Sequence, residues 1–582
     1  GILSYHCGDG PPPPGRPYFY GYVRTLRLEG MHAAEPLPHF VDDYLSYLYE
    51  VHPTGATMDG VHIHDDLIED FRRAAIDSHV SALAGFGRRL DSIPVEHLSP
   101  KEQVEHQIVS SNIRARQFEL EAVRSWERNP HVYADTLASS LAAQAIFGYA
   151  PETERARRVL SKLRQVPRLV QAARDNIKEP PAIFVKVGID TWRGAMAFIN
   201  ADLPRAFSNV DDIHLLGDLD DACKEAVKTI GAYVQDLETD IRPKARGTFR
   251  LGQDSFEQKL RLEEGITLTA DRLLNIAERE LAMVQEEFRQ LAGKLNSGDP
   301  EAAWRKAKEA HPEPGTLIST ARQQLDDLHT FLSRTNVIDM PDAGGVQVAP
   351  TPDFFRWSSA SMWTPGPFES RPSRAMYYLT DVDQKWDMEK KLEHLRDFNL
   401  PTLWTISIHE VYPGHFLHYQ FLKKVDSKIR RSTMFAPASY MEGWAHYCEQ
   451  MMLEAGFGKG DHSLKLGQLA EALVRLARFV VGIRLHTEDW SVEQGVRFFK
   501  EEAFLEESSA RREAERGTFD PTYLVYSAGK MMLLKLRRDW YEEQGGKPSL
   551  RAFHDTLMSH GAAPFWALRK LMLKTHDDAV LE

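Results

Sequence analysis

Two histidines and a glutamate fall within seven residues at 409–415, in the stretch HEVYPGH. A His followed at once by Glu, and then by a second His, is how a helix offers two imidazoles to zinc and a carboxylate to the zinc-bound water. In the usual H-E-x-x-H spacing the imidazoles sit four apart on one helix face. Here His409 and His415 are six apart. Six residues of regular helix turn through about 600°, which leaves the pair about 120° and about 9 Å apart. Pro413 and Gly414 lie between them. Pro413 has no N–H for the His409 carbonyl and its ring clashes with that carbonyl; Gly414 accepts unusual backbone angles. The spacing therefore predicts a kink or bulge at Pro413–Gly414 that returns His415 towards His409. The competing reading is a plain helix end with two unrelated histidines.

A catalytic zinc takes three protein ligands and keeps one position for water. The stretch MEGWAHYCEQMM at 441–452 places Glu442, His446 and Glu449 at i, i+4 and i+7 of a helix, with Trp444, Tyr447 and Met451 on the other face. Such a polar stripe is costly to bury without partners, and a metal is one partner. Glu442 is the expected third ligand of one zinc per chain, and His418 the alternative. Glu449 or His446 is expected to hold a ligating histidine by its other ring nitrogen. Glu410, next to a ligand, is placed to act as general base. An oxyanion donor comes from Tyr523, Tyr526, His486, Arg484 or Lys530, with Tyr526 and Lys530 at i and i+4 of one helix face.

HEVYPGH followed by EGWAHYCE resembles the bacterial domain-of-unknown-function family 885, whose pattern is H-E-x-x-P-G-H and then E-G-W-A with a Glu seven after the first. RPSRAMYYL, RLHTEDWSVEQ at 484–494 and DPTYLVYSAGK at 520–530 extend the likeness from about residue 39 to the C-terminus. The resemblance implies a largely helical metallohydrolase similar to zinc peptidases, and supplies no substrate. It favours Tyr526 as the oxyanion donor and matches His486. Where relatives carry Asp and Gly, this chain has Gly482 and Arg484, which makes Arg484 a candidate carboxylate clamp. Glu513 and Arg516, at i and i+3, read as a structural ion pair.

The 582 residues are 42% hydrophobic and 27% charged, ordinary for a globular protein. A net charge of −13 argues against nucleic acid as partner, since backbone binding needs basic surface. Cys7, Cys223 and Cys448 are too few and scattered for a disulfide framework. No apolar run approaches the roughly 18 residues of a membrane helix. A cytoplasmic location is favoured, with a secreted or periplasmic one left open by residues 1–30. These contain a four-proline run and no signal-peptide order, and read as a disordered or mis-called extension.

Helical periodicity runs through 39–245, with helices near 40–51, 65–90, 100–127, 133–148, 152–174, 191–206 and 211–243. The H-x-H of GVHIHDD at 60–66 also occurs in metal-dependent amidohydrolases, but those are α/β barrels and no strand–helix alternation is visible. Asp65 or Asp66 is expected to open the next helix. Residues 246–266 link this N-terminal half to a C-terminal half, 246–582, that carries the metal motifs. Long amphipathic helices are expected at 269–292 and 316–333, and a small sheet around 345–380. Further helices follow at 461–487, 491–506, 521–544 and 563–575. The fold class is mainly α, with a small β element beside a cleft whose edge can bind an extended peptide. The expected activity is zinc-dependent hydrolysis of amide bonds in short or unfolded peptides. Hydrolysis of other small amides or esters, and a non-catalytic binding protein, are the alternatives.

Overall fold

The computed structural model describes residues 35–581 apart from 296–298, 342–344, 353–355, 357–358, 372, 547–548 and 576–578. Cys7 and the extension at 1–30 lie outside the described residues. The architecture is mainly α, as expected, with one three-stranded sheet. Helix α1 is Leu37–Val51, α2 Pro130–Ile146, α3 Ala182–Ala197, α4 Ile213–Asp236, α5 Ala270–Leu295 and α6 Leu317–Thr335. After the sheet come α7 (Leu400–Glu410), α8 (His415–Leu422), α9 (Ala438–Glu454), α10 (His462–Thr487), α11 (Glu507–Phe519) and α12 (Val525–Glu543).

Several boundaries differ from the periodicity. The helix expected from 65 starts at Arg73, and neither Asp65 nor Asp66 caps it; its N-cap is Arg72. The 491–506 helix breaks at Phe504, which takes a left-handed conformation, and α11 follows as a separate element. A helix at Leu550–Ser559 was not anticipated. Apolar spacing reports which face is buried, and it is blind to a break that leaves the buried face in phase.

The buried side chains form two cores. One joins residues of 37–113 with residues of 256–581; the other is built from 133–245 with Ile68, Trp363 and Tyr378. The sheet stands between them. Its strands are β1 (Val346–Pro350), β2 (Ala360–Trp363) and β3 (Ala375–Leu379), in the order β1-β3-β2, with β1 parallel and β2 antiparallel to β3. Side chains alternate across a strand. Ala375, Tyr377 and Leu379 accordingly enter the first core while Tyr378, with Trp363 of β2, enters the second. Tyr377 then reaches α7: its hydroxyl lies 3.2 Å from Ser407 Oγ, and Ser407 donates to Gln324 of α6 at 3.0 Å. The β element thus braces the helix that carries the first histidine. No helix of the described residues is long and apolar enough to cross a membrane. Cys223 and Cys448 are free, buried thiols.

Candidate metal centre

The HEVYPGH segment does more than kink. Helix α7, opened by Asn399 capping Thr402 N–H with Pro401 in its first turn, stops at Glu410, and α8 begins afresh at His415. Between them Val411 N–H and Tyr412 N–H both reach the Ser407 carbonyl, and Gly414 N–H reaches Ile408 O at 3.0 Å. The Tyr412–Pro413 peptide is cis. Gly414 is required by closeness: a Cβ there would stand 1.7 Å from the His409 carbonyl oxygen. The tight return brings the two imidazoles to a centroid separation of 4.9 Å, nearly perpendicular at 88°.

Helix α9 supplies the third group. Glu442 Oε2 lies 3.4 Å from His409 Nε2 and 3.4 Å from His415 Nε2, and one ligand atom from each of the three side chains lies within 4.8 Å of the others. Donors bound at about 2.1 Å in a tetrahedron stand about 3.4 Å apart, so both spacings fit one zinc. Two imidazoles and a carboxylate are also a donor set of zinc hydrolases. Glu449, two turns on, holds His409 from behind. Its Oε1 is 2.7 Å from His409 Nδ1. A carboxylate only accepts, so Nδ1 carries a proton and Nε2 is the nitrogen that a metal would take, in place of its proton. Glu449 also accepts from His446 Nδ1 at 3.0 Å and pairs with Arg475 of α10 at 3.1 Å. Burial opposes charge on Glu449, but Arg475 foremost among its neighbours keeps the carboxylate well below its usual range. Burial alone would also discharge His409; the carboxylates of Glu442 and Glu449 outweigh it and push the imidazole to about 9. A proton takes up the charge that a cation would otherwise neutralise.

The family of bacterial proteins described as "Bacterial protein of unknown function (DUF885)" matches residues 53–572. The chain belongs to this family. Two solved structures share the fold of this DUF885 protein. A candidate lipoprotein of unknown function from Shewanella oneidensis is 23% identical, with a TM-score of 0.76 over 93% of this chain and 100% of its own. A candidate lipoprotein from Colwellia psychrerythraea is 18% identical, with a TM-score of 0.78 over 92% of this chain and 98% of its own. No curated protein matches the chain.

The DUF885 motif at 520–530 reaches the same centre. The Tyr526 ring lies over His409, centroids 6.4 Å apart and 21° from parallel. Two glycines make this approach. A Cβ on Gly443 would meet the Gly529 backbone at 2.5 Å, and one on Gly529 would meet Ser439 O at 1.9 Å. Helices α9 and α12 therefore cross backbone to backbone, which sets Tyr526 beside Glu442. Burial first, then the charge of Glu442, raises the Tyr526 phenol, which stays protonated. Arg516 donates to its hydroxyl at 3.3 Å, and Arg478 stands 5.0 Å from its ring centre. Lys530, one turn on, is lowered to about 8 by burial, with Glu449 its foremost counter-charge.

Other candidates are not brought to the cluster. His418 is buried against Tyr440 with both ring nitrogens unpartnered, and burial lowers it to about 3; it is not among the three convergent groups. His446 bonds Glu449 and not a ligand. His486 donates from Nε2 to Gly517 O at 2.7 Å and packs between Phe249 and Phe256. Arg484 pairs with Glu278 and stacks on Trp490. Both residues lie further along α10 than Arg475, on stretches committed to other neighbours. Glu513 and Arg516 do not pair with each other: Glu513 takes Arg478 through both oxygens, at 2.7 and 2.8 Å, and Arg516 takes Asp520 at 2.9 Å. Tyr523 is fully buried against Gly517 and Gly482. Sequence reasoning missed Arg475, which carries no motif signal. It also missed the glycine crossing, for which a Gly in each of two motifs was a usable sign.

Proposed function

We propose that this protein is a zinc-dependent hydrolase of amide bonds in short or unfolded peptides. The observation that carries the reading is the single carboxylate oxygen of Glu442 standing 3.4 Å from each of two imidazole Nε2 atoms. His409, His415 and Glu442 would hold the ion. Bound there, zinc supplies a Lewis acid that brings the pKa of a coordinated water to about 7. Glu410 ends α7, half-buried, one residue from a ligand, with its charge felt by Tyr377 of β3. It takes the proton of the attacking water and returns it to the leaving amine. The protonated Tyr526 donates a hydrogen bond to the oxygen that gains charge as the carbonyl is attacked.

An extended peptide is favoured over other amides by the sheet. Strand β2 lies at its margin, and its Met362 is the register partner of Tyr377, which touches α7. A marginal strand beside the ligand helix offers backbone groups to a substrate strand. The names of the two fold relatives as candidate lipoproteins favour an exported protein over the cytoplasmic location expected from the sparse cysteines.

Metal content of the purified protein, measured by mass spectrometry, tests the reading together with a screen of unstructured peptides. One zinc per chain is expected in the wild type and in Glu410→Gln, and none in His409→Ala; peptide cleavage is expected in the wild type alone. A wild type that takes up no zinc when zinc is offered would overturn it.

A further inference from the structure

We infer that Trp444 is a positioning residue of the metal centre: its indole N–H, bonded to the Pro413 carbonyl, holds the turn that presents His415. This rests on the metal site proposed above.

The turn between α7 and α8 must keep a non-helical path while carrying a ligand at its far end. Its backbone N–H groups find acceptors in α7, at Ser407 and Ile408. Pro413 has no N–H to give. Its carbonyl accepts from Trp444 Nε1 at 3.0 Å. Pro413 is buried and Trp444 has no exposed surface, so each is the other's way of avoiding an unpaired polar group in the interior. The indole has one donor and no acceptor, which makes this bond its whole polar capacity. The ring cannot drift, because it stands edge-on to His554 at 5.4 Å and packs on Tyr447 at 5.7 Å.

Helix α9 therefore acts on the centre at three places. Glu442 faces both imidazoles, Glu449 fixes the ring of His409, and Trp444 fixes the turn that carries His415. The first two are direct contacts with a histidine ring. Trp444 acts one step away, through main chain, so its removal should change where His415 sits without changing which groups are present.

The test is Trp444→Phe, which keeps an aromatic ring and deletes the N–H. Zinc affinity of the metal-free protein, titrated against a competing chelator, is expected to fall about tenfold to a hundredfold, the range for groups that orient ligands. Thermal unfolding is recorded with and without zinc. A purely structural role lowers both midpoints equally; the positioning role shrinks the rise that zinc produces. Tyr447→Phe, on the same helix, removes a buried hydroxyl that meets His554 and Arg537 at 2.8 and 2.9 Å. It is expected to lower both midpoints and leave zinc affinity as in the wild type. Trp444→Leu repeats the measurement should the phenylalanine variant not fold. Unchanged zinc affinity in the Trp444 variants, or an equal loss in Tyr447→Phe, overturns this inference alone. Absence of zinc uptake by the wild type overturns the metal site and this inference with it.

Discussion

Two histidine-bearing segments, GVHIHDD and HEVYPGH, were both metal candidates by composition, and the fold uses them in opposite ways. His62 lies between two carboxylates, with Nδ1 2.9 Å from Asp65 and Nε2 2.7 Å from Glu369. Its ring lies flat on Tyr149, centroids 3.6 Å apart and 8° from parallel. Asp65 is in turn held by Arg158 at 2.5 Å, by Thr57 and by Tyr149. Both oxygens of Asp65 have partners, and both ring nitrogens of His62 are occupied. In the second segment His409 gives Nδ1 to Glu449 at 2.7 Å, while its Nε2 stands 3.4 Å from a Glu442 oxygen that it shares with His415. Counting histidines and acids cannot separate the two. What separates them is whether three groups able to bind a metal face a common point.

The sharpest way to break this comparison is at the chemistry. Glu410→Gln should lower turnover of a cleaved peptide about 10²- to 10⁴-fold, the usual contribution of a general base, while zinc content stays at that of the wild type. Equal turnover would show that the converging groups serve binding only. Next in size is Asp65→Ala, which takes a fully buried carboxylate from His62, Arg158, Thr57 and Tyr149 at once and leaves His62 with Glu369 and Arg158 with Glu154. A loss of about 3–5 kcal/mol in denaturant unfolding is expected, with zinc still bound by the folded fraction; a loss of zinc would mean the first cluster is part of the centre. Glu449→Gln removes the charge behind His409 and should weaken zinc binding about tenfold to a hundredfold, read by chelator competition.

The smallest effect is one of pH. Burial works against charge on His62, but Asp65 and Glu369 outweigh it and raise its pKa above 6.5. A group whose pKa rises on folding contributes stability that is complete below its unfolded value and is lost as pH climbs through its folded value. Asp65 and Glu369 are lowered despite burial, chiefly by His62, and their contribution disappears as pH falls through their folded values. The cluster therefore stabilises most between the ordinary carboxylate range and the ordinary value of imidazole, and its contribution fades as pH climbs from there through the raised value of His62. In His62→Gln the decline of unfolding free energy above neutral pH should be shallower than in the wild type, measured by denaturant titration at a series of pH values. Parallel curves would show that His62 is not charged in the folded state.

The readable part of the site consists of residues whose types imply their chemistry. His409, Glu410 and His415 are legible in the H-E order and the helix breaker between the two histidines, and Glu442 in the polar stripe of an otherwise apolar helix. Glu449 was named as one of two holders of a ligand ring, since it repeats at helical spacing on the stripe of Glu442. Tyr526 was named from the family pattern. Arg484, His486 and His418 failed for a common reason: a polar residue on a buried helix reads the same whether it faces a cleft, a carbonyl or only aromatic rings. The choice was made by Gly517 O for His486, by Glu278 for Arg484 and by Tyr440 for His418.

By itself, the order of residues determined a mainly helical chain, a departure from helix at Pro413–Gly414 and a short set of candidates, His409, His415 and Glu442 or His418, for the convergent groups. These follow from local rules: side-chain periodicity, the missing proline N–H and the donor chemistry of His and Glu. Tertiary structure alone decided which partner each polar group meets. Arg475 reaches Glu449 from another helix, Trp444 finds Pro413 thirty-one residues away, and Gly443 and Gly529 let two helices touch so that Tyr526 lies over His409. Such pairings depend on how helices cross, and crossing is set by the packing of whole faces, which no single stretch of sequence contains.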